Sequence, residues 1–195
     1  MKHFQQIATG VPVDTLISEL AAHDELWDAH KIRKTAYGTP HSRMSDIWVR
    51  YNDVAPFEAT GDYRTFNDVH VPVRYPAWYA LPSIRQIVMP LMAAVQGEML
   101  GGILLTRIPP GCGIDAHTDH GWHAEYYDKF YVSVQNAPGA AFWCEADGTR
   151  DSIEPEAGEV WYFNNQKLHG VENKSTTDRI AMIVCIRTDL FGRSS

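Results

Sequence analysis

Beyond residue 100, short apolar runs alternate with turn residues, and this pattern constrains the fold more than any other feature of the sequence. The runs cover residues 103–108, 130–134, 140–144, 159–163 and 179–187. Strands of this length, separated by turns at this spacing, are typical of an antiparallel sandwich or barrel. We therefore predict that the C-terminal half of the chain forms a β-core.

The N-terminal half has a different character. Leucine and isoleucine at helical spacing after Asp14 predict an amphipathic helix that reaches about Glu25 and covers one face of a sheet. Residues 47–51 alternate and are β-branched or aromatic, which predicts a strand, whereas the Pro, Gly, Asp and Asn of residues 52–82 predict irregular structure. Residues 83–96 predict a second helix that an internal proline kinks or splits.

The chain of 195 residues, 45% of them hydrophobic, is long enough for one sizeable core and too short for two domains with a linker. We predict a single domain, 1–195. In it a helix-rich flanking part, 1–98, adds one strand to the β-core, 99–190.

Charge and composition argue against several classes of partner. The formal net charge of -7 and the scattered 17 Lys and Arg residues disfavour a nucleic-acid-binding surface. The N-terminus lacks the apolar run of a signal peptide, and no stretch approaches the length of a membrane span, so we expect a cytoplasmic protein without membrane attachment. Cys112, Cys144 and Cys185 form no CxxC motif and are expected to be reduced thiols, mostly in the core.

A group of polar residues in the C-terminal half has the composition of a metal site. His117 and Asp119 are two residues apart, so in a strand both side chains point to the same side. His169 follows a predicted strand and turn and can reach the same point by antiparallel pairing. Two imidazoles and a carboxylate form the facial triad of non-haem iron oxygenases, in which three metal positions stay open.

Arg179 stands at the start of an apolar strand, ten residues after His169. A guanidinium at the mouth of a buried strand needs an anionic partner. A dicarboxylate cosubstrate would provide one, because Arg binds carboxylates with two parallel hydrogen bonds and stays charged when partly desolvated.

These features together resemble the aspartyl/asparaginyl β-hydroxylase family of Fe(II)- and 2-oxoglutarate-dependent oxygenases. The matching segments are residues 105–111, which lead into His117, and residues 169–173, which are followed by Arg179. The resemblance covers about residues 100–188. It implies a mainly β fold with flanking helices and a double-stranded β-helix core of the jelly-roll or cupin-like type.

The resemblance also implies roles for residues at matching positions. Fe(II) would be held by His117, Asp119 and His169, and O2 would be the third reactant beside 2-oxoglutarate and substrate. Arg179 and Thr106 would hold the distal carboxylate of 2-oxoglutarate. A lysine and a tyrosine stand where the family usually has Arg and His facing the cosubstrate, which keeps a cation and a hydrogen-bonding aromatic group; these are Lys129 and Tyr131.

The implied reaction is hydroxylation of an unactivated C–H bond, and the family suggests an amino-acid side chain, free or in a peptide, or else a small metabolite. The sequence offers Arg43, Arg50 and His123 as candidate substrate residues. Trp48 and Tyr51 can serve substrate recognition or core packing. His120 and His123 are expected near the substrate entrance, and Gly121 argues against a helix there.

Other interpretations remain open at this point. A cupin enzyme that needs no cosubstrate, a cupin-like binding module without catalysis and a zinc hydrolase all fit part of the pattern. Arg179 may instead be an ordinary salt-bridge partner of Asp178 or Glu172, and Lys129 a charge that protects a strand edge.

Overall fold

The computed structural model describes residues 3–36, 38–68 and 71–189. Its strands are β1 Phe4–Ala8, β2 Ser45–Asn52, β3 Pro72–Arg74, β4 Met99–Ile108, β5 Gly113–His117, β6 Asp128–Gln135, β7 Ala140–Ala146, β8 Thr149–Ile153, β9 Val160–Phe163, β10 Leu168–Asn173 and β11 Arg179–Arg187. Its helices are α1 Asp14–Ala22, α2 Ile32–Thr35, α3 Ala55–Thr60, α4 Arg64–Asn67, α5 Ala77–Ala80, α6 Ser83–Ala94 and α7 Trp122–Tyr126, with a 3-10 helix at Asp24–Leu26.

The strands form two antiparallel sheets. The larger sheet has seven strands in the order β1-β9-β6-β11-β4-β2-β3, and the smaller has four in the order β5-β10-β7-β8. One buried cluster draws side chains from both sheets, among them Tyr131, Phe163 and Ala181 from the larger and Phe142 and Val171 from the smaller. The two sheets therefore pack face to face, as the β-core prediction requires.

Helices α1 and α6 cover the outer face of the larger sheet. Leu16 and Leu20 of α1 and Ile84 and Val88 of α6 share one buried cluster with the sheet residues that point outwards. Burying this apolar face removes both helices' hydrophobic stripes from water, which is the dominant stabilising contribution.

Alternation along the central strands separates the two faces of the larger sheet. In β11, Ile180, Met182 and Val184 point into the helix-covered core. Because successive strand residues point to opposite sides, Arg179 and Ala181 face the smaller sheet. The same alternation in β4 and β6 decides which polar residues reach the site described below.

Several predictions made from the sequence need correction here. Residues 52–82 are not irregular but contain α3, α4, β3 and α5, which are too short to show a period in the sequence. The proline at position 90 does not split α6, which continues from Ser83 to Ala94 with Pro90 on its exposed face. The helix predicted to reach Glu25 ends at Ala22 and is followed by the 3-10 turn.

The flanking part contributes three strands rather than the one expected. β1 pairs with β9, and β2 pairs with β4 and β3, so strands from both sides of the predicted boundary at residue 98 share one sheet. The last residue of the predicted core, 190, lies outside the described residues.

Two further observations bear on the class of protein. No helix among the described residues has the length and apolar character needed to cross a membrane. The three cysteines are free thiols, two of them buried.

Candidate active site

Two histidines face each other across paired strands of the smaller sheet. β5 and β10 run antiparallel with His117 opposite His169, and their ring centroids are 4.3 Å apart. Asp119 lies beside them, and one potential ligand atom from each of the three residues lies within 4.8 Å of the others. The structure thus brings together the three residues that the sequence offers as metal ligands.

Asp119 reaches this position from a loop. The i, i+2 spacing had instead predicted one strand that carries both His117 and Asp119. β5 ends at His117. The loop is held instead by Asn165, whose carbonyl accepts the Asp119 N–H at 3.0 Å and whose side-chain amide donates to the Asp119 carboxylate at 3.0 Å.

Backbone carbonyls fix the tautomers of both histidines. His117 Nδ1 lies 2.8 Å from the Asp115 carbonyl, and His169 Nδ1 lies 2.8 Å from the Lys167 carbonyl. A carbonyl only accepts, so each Nδ1 carries the proton and each Nε2 keeps a lone pair for a metal.

The protonation states also suit a cation. Burial lowers the pKa of His169 to about 4, so its imidazole is neutral at neutral pH. Burial alone would raise the pKa of Asp119, but the Lys129 ammonium and the Asn165 amide hold it well below its usual range, so the side chain is a carboxylate. Two imidazoles and one carboxylate are a donor set that binds Fe(II) and leaves metal positions open.

Arg179 is buried with donors that have no acceptor. Its side chain is 2% exposed, and Nε and Nη2 make no hydrogen bond within the described part of the chain. The guanidinium carbon lies 5.0 Å from the centre of the Tyr131 ring, and the Tyr131 hydroxyl is also buried without a partner. Burial lowers the pKa of Arg179, and such groups are costly to bury unless something binds them.

The salt bridges considered for Arg179 from the sequence are not formed. The Asp178 carbonyl accepts a hydrogen bond from Gln135, and Glu172 pairs with Lys174. Arg179 takes part in no ion pair that involves the described residues.

Lys129 and Thr106 lie on the same inner face as Arg179. Lys129 forms an ion pair with Asp119 and belongs to β6, which has β9 on one side and β11 on the other. The alternative of a charge that protects a strand edge is therefore wrong. Thr106 is buried on β4, opposite Ala181 of β11.

A cavity of about 580 Å³ connects these groups. It is lined by the three metal-site residues and by the four residues that the resemblance assigns to the cosubstrate: His117, Asp119, His169, Arg179, Thr106, Lys129 and Tyr131. The site is therefore a pocket between the two sheets, with a cation at its base and a metal-binding cluster on one wall.

His120 and His123 line the same cavity, as expected for residues near an entrance. The argument against a helix that runs through His117, His120 and His123 holds, because His117 ends β5 and a loop follows it; the short α7 begins only after Gly121. Gly121 has φ of 85°, a conformation that glycine adopts at little cost, so it starts the helix rather than preventing it.

The other upstream candidates lie elsewhere. Arg43 is exposed and pairs with Asp115 at 2.7 Å, and Arg50 donates to the carbonyls of residues 100 and 101. Neither is among the described residues that line the cavity. Trp48 packs in an aromatic cluster, stacked on Phe66, whereas Tyr51 does line the cavity.

Two cavity residues from the N-terminal part were not identified from the sequence. Arg33 and His41 both line the cavity, and the His41 ring stands edge-on to His117 with centroids 5.2 Å apart. Arg33 belongs to a four-residue helix and His41 to a loop, so neither lay in a periodic pattern that could have indicated burial.

Comparison with known proteins gives a family and a fold. Residues 75–188 match the family model described as aspartyl/asparaginyl beta-hydroxylase. The matched range contains the metal-site residues and Arg179 but neither Arg33 nor His41. No curated protein sequence matches the chain.

Three solved structures have a similar fold. An oxidoreductase of the 2OG-Fe(II) oxygenase family from Burkholderia pseudomallei is 14% identical with a TM-score of 0.56, over 87% of this chain and 78% of its own. A prolyl-4-hydroxylase from Pseudomonas putida is 19% identical with a TM-score of 0.53, over 95% and 93%. A prolyl hydroxylase in complex with a hypoxia inducible factor oxygen degradation domain peptide fragment, from Trichoplax adhaerens, is 13% identical with a TM-score of 0.61, over 96% and 84%. The predicted mainly β fold with a double-stranded β-helix core is confirmed.

Proposed function

The chain belongs to the aspartyl/asparaginyl β-hydroxylase family and is a 2-oxoglutarate- and Fe(II)-dependent hydroxylase; from this premise we propose that it hydroxylates an amino-acid side chain, free or within a peptide. In this proposal His117, Asp119 and His169 hold Fe(II). Arg179 holds the distal carboxylate of 2-oxoglutarate.

One observation carries the assignment of the cosubstrate. Arg179 and Tyr131 present unpartnered buried donors to the cavity that also holds the metal-binding cluster. A carboxylate would accept from both groups and offset the buried charge, as a charge-assisted, two-bond contact does. Neither a zinc hydrolase nor a metal-only cupin enzyme gives Arg179 a partner.

The residues of the site bind the ligands, orient them or exclude water. The carbonyls of residues 115 and 167 keep the two imidazoles aimed at the metal position. Lys129 is placed to exchange its ion pair with Asp119 for a contact with the cosubstrate, and Thr106 adds a hydroxyl on the Arg179 side. The apolar lining, including Phe142 and Ile183, keeps bulk water out of the base of the pocket.

Bound Fe(II) and 2-oxoglutarate supply the oxidising chemistry, in which 2-oxoglutarate, O2 and a C–H bond become succinate, CO2 and an alcohol. No general base is required from the protein, because an oxygen atom enters the C–H bond and the substrate loses no proton. The protein's contribution is the geometry of the pocket.

An amino-acid side chain as substrate has three supports. The family is described by hydroxylation of aspartyl and asparaginyl groups. One similar structure is a hydroxylase in complex with a peptide fragment. The cavity of about 580 Å³ is within the range of pockets that enclose small ligands.

The experiment that tests the reaction class is succinate formation. Protein reconstituted with Fe(II) without oxygen is then exposed to O2 and 2-oxoglutarate, first alone and then with amino acids and short peptides. We expect slow succinate production by the wild type, faster production with the correct substrate, and none with His169→Ala. Iron-dependent turnover without succinate would instead support a cosubstrate-independent cupin enzyme, and absence of both iron and 2-oxoglutarate binding would support a binding module.

A further inference from the structure

Part of the cavity lining comes from a segment that the family model does not cover. Arg33 of α2 and His41 of the following loop belong to this part of the lining. Their side chains connect to a buried carboxylate, Asp46 of β2, which has no exposed side-chain surface. We call Asp46, Arg33 and His41 the N-terminal relay.

The relay holds Arg33 in a single position. Arg33 Nη1 donates to Asp46 Oδ2 at 2.7 Å, and the Thr39 hydroxyl donates to the Arg33 carbonyl at 2.6 Å. The neighbouring Asp28 accepts from Lys34 Nζ at 2.7 Å and so ties α2 to the start of β2. The guanidinium is largely enclosed, with 16% of the side chain exposed.

Contact with Arg33 also decides which nitrogen of His41 carries a proton. Arg33 Nη2 lies 3.4 Å from His41 Nε2. A guanidinium only donates, so Nε2 accepts and the proton is on Nδ1. His41 Nδ1 is buried and makes no hydrogen bond among the described residues. The relay therefore ends in an N–H donor without an acceptor, on the ring that packs against His117.

The balance of charges in the site indicates what kind of group accepts a hydrogen bond from His41 Nδ1–H. Among the buried charged side chains of the site, Arg33 is offset by Asp46 and Lys129 by Asp119, while Arg179 has no counter-charge. A divalent metal ion and the 2-oxoglutarate dianion cancel each other. The buried groups of the loaded site keep one positive charge, which a substrate with one negative charge would neutralise; Asp68 also lines the cavity, but it is exposed to solvent, which screens its charge.

We propose that Arg33 and His41 form a subsite that binds a carboxylate of the substrate, and so select an acidic group over its neutral amide. The proposal rests on the proposed function, since the charge count includes the metal ion and 2-oxoglutarate. The net positive charge of the loaded site attracts the carboxylate, Arg33 supplies charge-assisted N–H donors, and His41 Nδ1–H supplies a directed donor near the metal cluster. Asp46 is a positioning residue.

Binding measurements with Mn(II) in place of Fe(II) test the subsite without turnover. Calorimetry first measures 2-oxoglutarate binding to the Mn(II) protein, and failure of the wild type here contradicts the proposed function rather than the subsite. The probes are then the N-acetyl methylamides of aspartate and glutamate, with those of asparagine and glutamine as neutral isosteres. We expect at least one acidic probe to bind tenfold or more tightly than its amide.

Substitution then separates the roles of the two residues. Arg33→Gln should weaken the acidic probe tenfold or more and the amide less than threefold, with 2-oxoglutarate affinity unchanged. The double variant Arg33→Gln/Asp46→Asn avoids a buried unpaired carboxylate and leaves the net charge of the site unchanged, so loss of the preference there would come from the lost Arg33 contact and not from net charge. His41→Asn, whose amide can donate from the same side as Nδ1, should keep more of the preference than His41→Leu. Arg43→Gln is the matched control and should behave as wild type, because Arg43 is exposed and outside the cavity.

The proposal is overturned if the wild type binds no acidic probe or does not prefer one over its amide. It is equally overturned if the preference survives in both Arg33 variants. Loss of the preference in Arg43→Gln would also contradict it, because the selectivity would then come from surface charge.

Discussion

Arg179 is the largest of the side chains that are almost completely buried, and its guanidinium has donors but no acceptor. An unpaired buried charge destabilises the free protein, and the same charge stabilises a bound anion. The residue thus links the stability of the chain to its ligand.

Replacing Arg179 by Met should therefore have opposite effects on stability and on binding. We expect the metal-free, ligand-free variant to unfold at the same or a higher temperature than the wild type. Its affinity for 2-oxoglutarate should fall about 10- to 100-fold, the size expected for lost hydrogen bonds to a charged group. Thermal unfolding and calorimetry on the Mn(II) protein measure both, and unchanged 2-oxoglutarate affinity would remove Arg179 from the cosubstrate site.

Buried histidines predict how the metal-free protein responds to acid. Burial, and then the nearby Arg33, lower the pKa of His41 to about 2, and burial lowers that of His169 to about 4. Both are near 6.5 in the unfolded chain, so below that pH the unfolded state binds more protons and stability falls as pH falls.

Denaturant unfolding in the presence of a chelator should show this loss between pH 7 and pH 5. His41→Asn cannot ionise in this range and should lose about 1–2 kcal/mol less than the wild type over the same interval. The exposed His120 provides the control, His120→Asn, which should follow the wild type. Equal losses in His41→Asn and wild type would mean that His41 is not buried in a neutral form.

At the same scale, the sequence was sufficient to select the three potential metal ligands that cluster in the structure, and Arg179 in the same cavity, but not the N-terminal relay. The former lie next to strands and carry a spacing that constrains them. Arg33 and His41 reach the cavity because Asp28 and Asp46 fix a short helix and loop, and contacts of that kind leave no periodic signal.

At the scale of elements, β10 places His169 within a tightly packed pair of strands. A β-carbon at Gly170 would lie 2.6 Å from the Trp143 ring and 3.1 Å from the Ile114 carbonyl. Trp143 cannot move freely, since the Arg150 guanidinium stacks on it with its carbon 3.9 Å from the ring centre. Only glycine fits here without displacing β10 or its neighbours.

Gly170→Ala should therefore destabilise the protein by about 1–3 kcal/mol and weaken metal binding, because β10 must shift beside His169. Leu168→Ala, on the other side of His169 and partly exposed, is the control and should bind the metal normally. Denaturant unfolding and Mn(II) titration measure the two effects. Unaltered metal affinity in Gly170→Ala would show that the position of His169 does not depend on this packing.

Elements with a clear alternation were predicted well. Each of the five apolar runs lies in a strand of the structure to within one residue; four of these strands belong to the larger sheet, which is buried on both faces, and β7 belongs to the smaller sheet. The helices between residues 52 and 82 were missed, since each makes only one or two turns and is defined by its tertiary contacts. β1 was missed because a five-residue strand with two exposed glutamines resembles a terminal coil.

At the scale of the whole molecule, the family and fold agree with a site built between the two sheets. The larger sheet supplies the residues that we propose bind the cosubstrate, the smaller sheet and its loop supply the proposed metal ligands, and α2 with its following loop adds Arg33 and His41 to the cavity lining. The single-domain organisation remains a prediction.

The ligands should therefore stabilise the fold as a whole. Metal ion and 2-oxoglutarate bind groups from both sheets in the folded state, so each should raise the unfolding temperature, and both together should raise it most. Thermal unfolding with Mn(II), with 2-oxoglutarate and with both measures this. Undiminished stabilisation of Arg179→Met by 2-oxoglutarate, at a concentration that just saturates the wild type, would place its binding elsewhere.

The most direct test of the central claim is an anaerobic titration of the Fe(II) protein with 2-oxoglutarate, followed by the visible charge-transfer absorption that arises when the cosubstrate chelates ferrous iron. We predict a band that saturates at one 2-oxoglutarate per chain, is absent in His169→Ala, and requires at least tenfold more cosubstrate in Arg179→Met. A wild-type protein that binds Fe(II) but develops no band at any 2-oxoglutarate concentration would contradict the account.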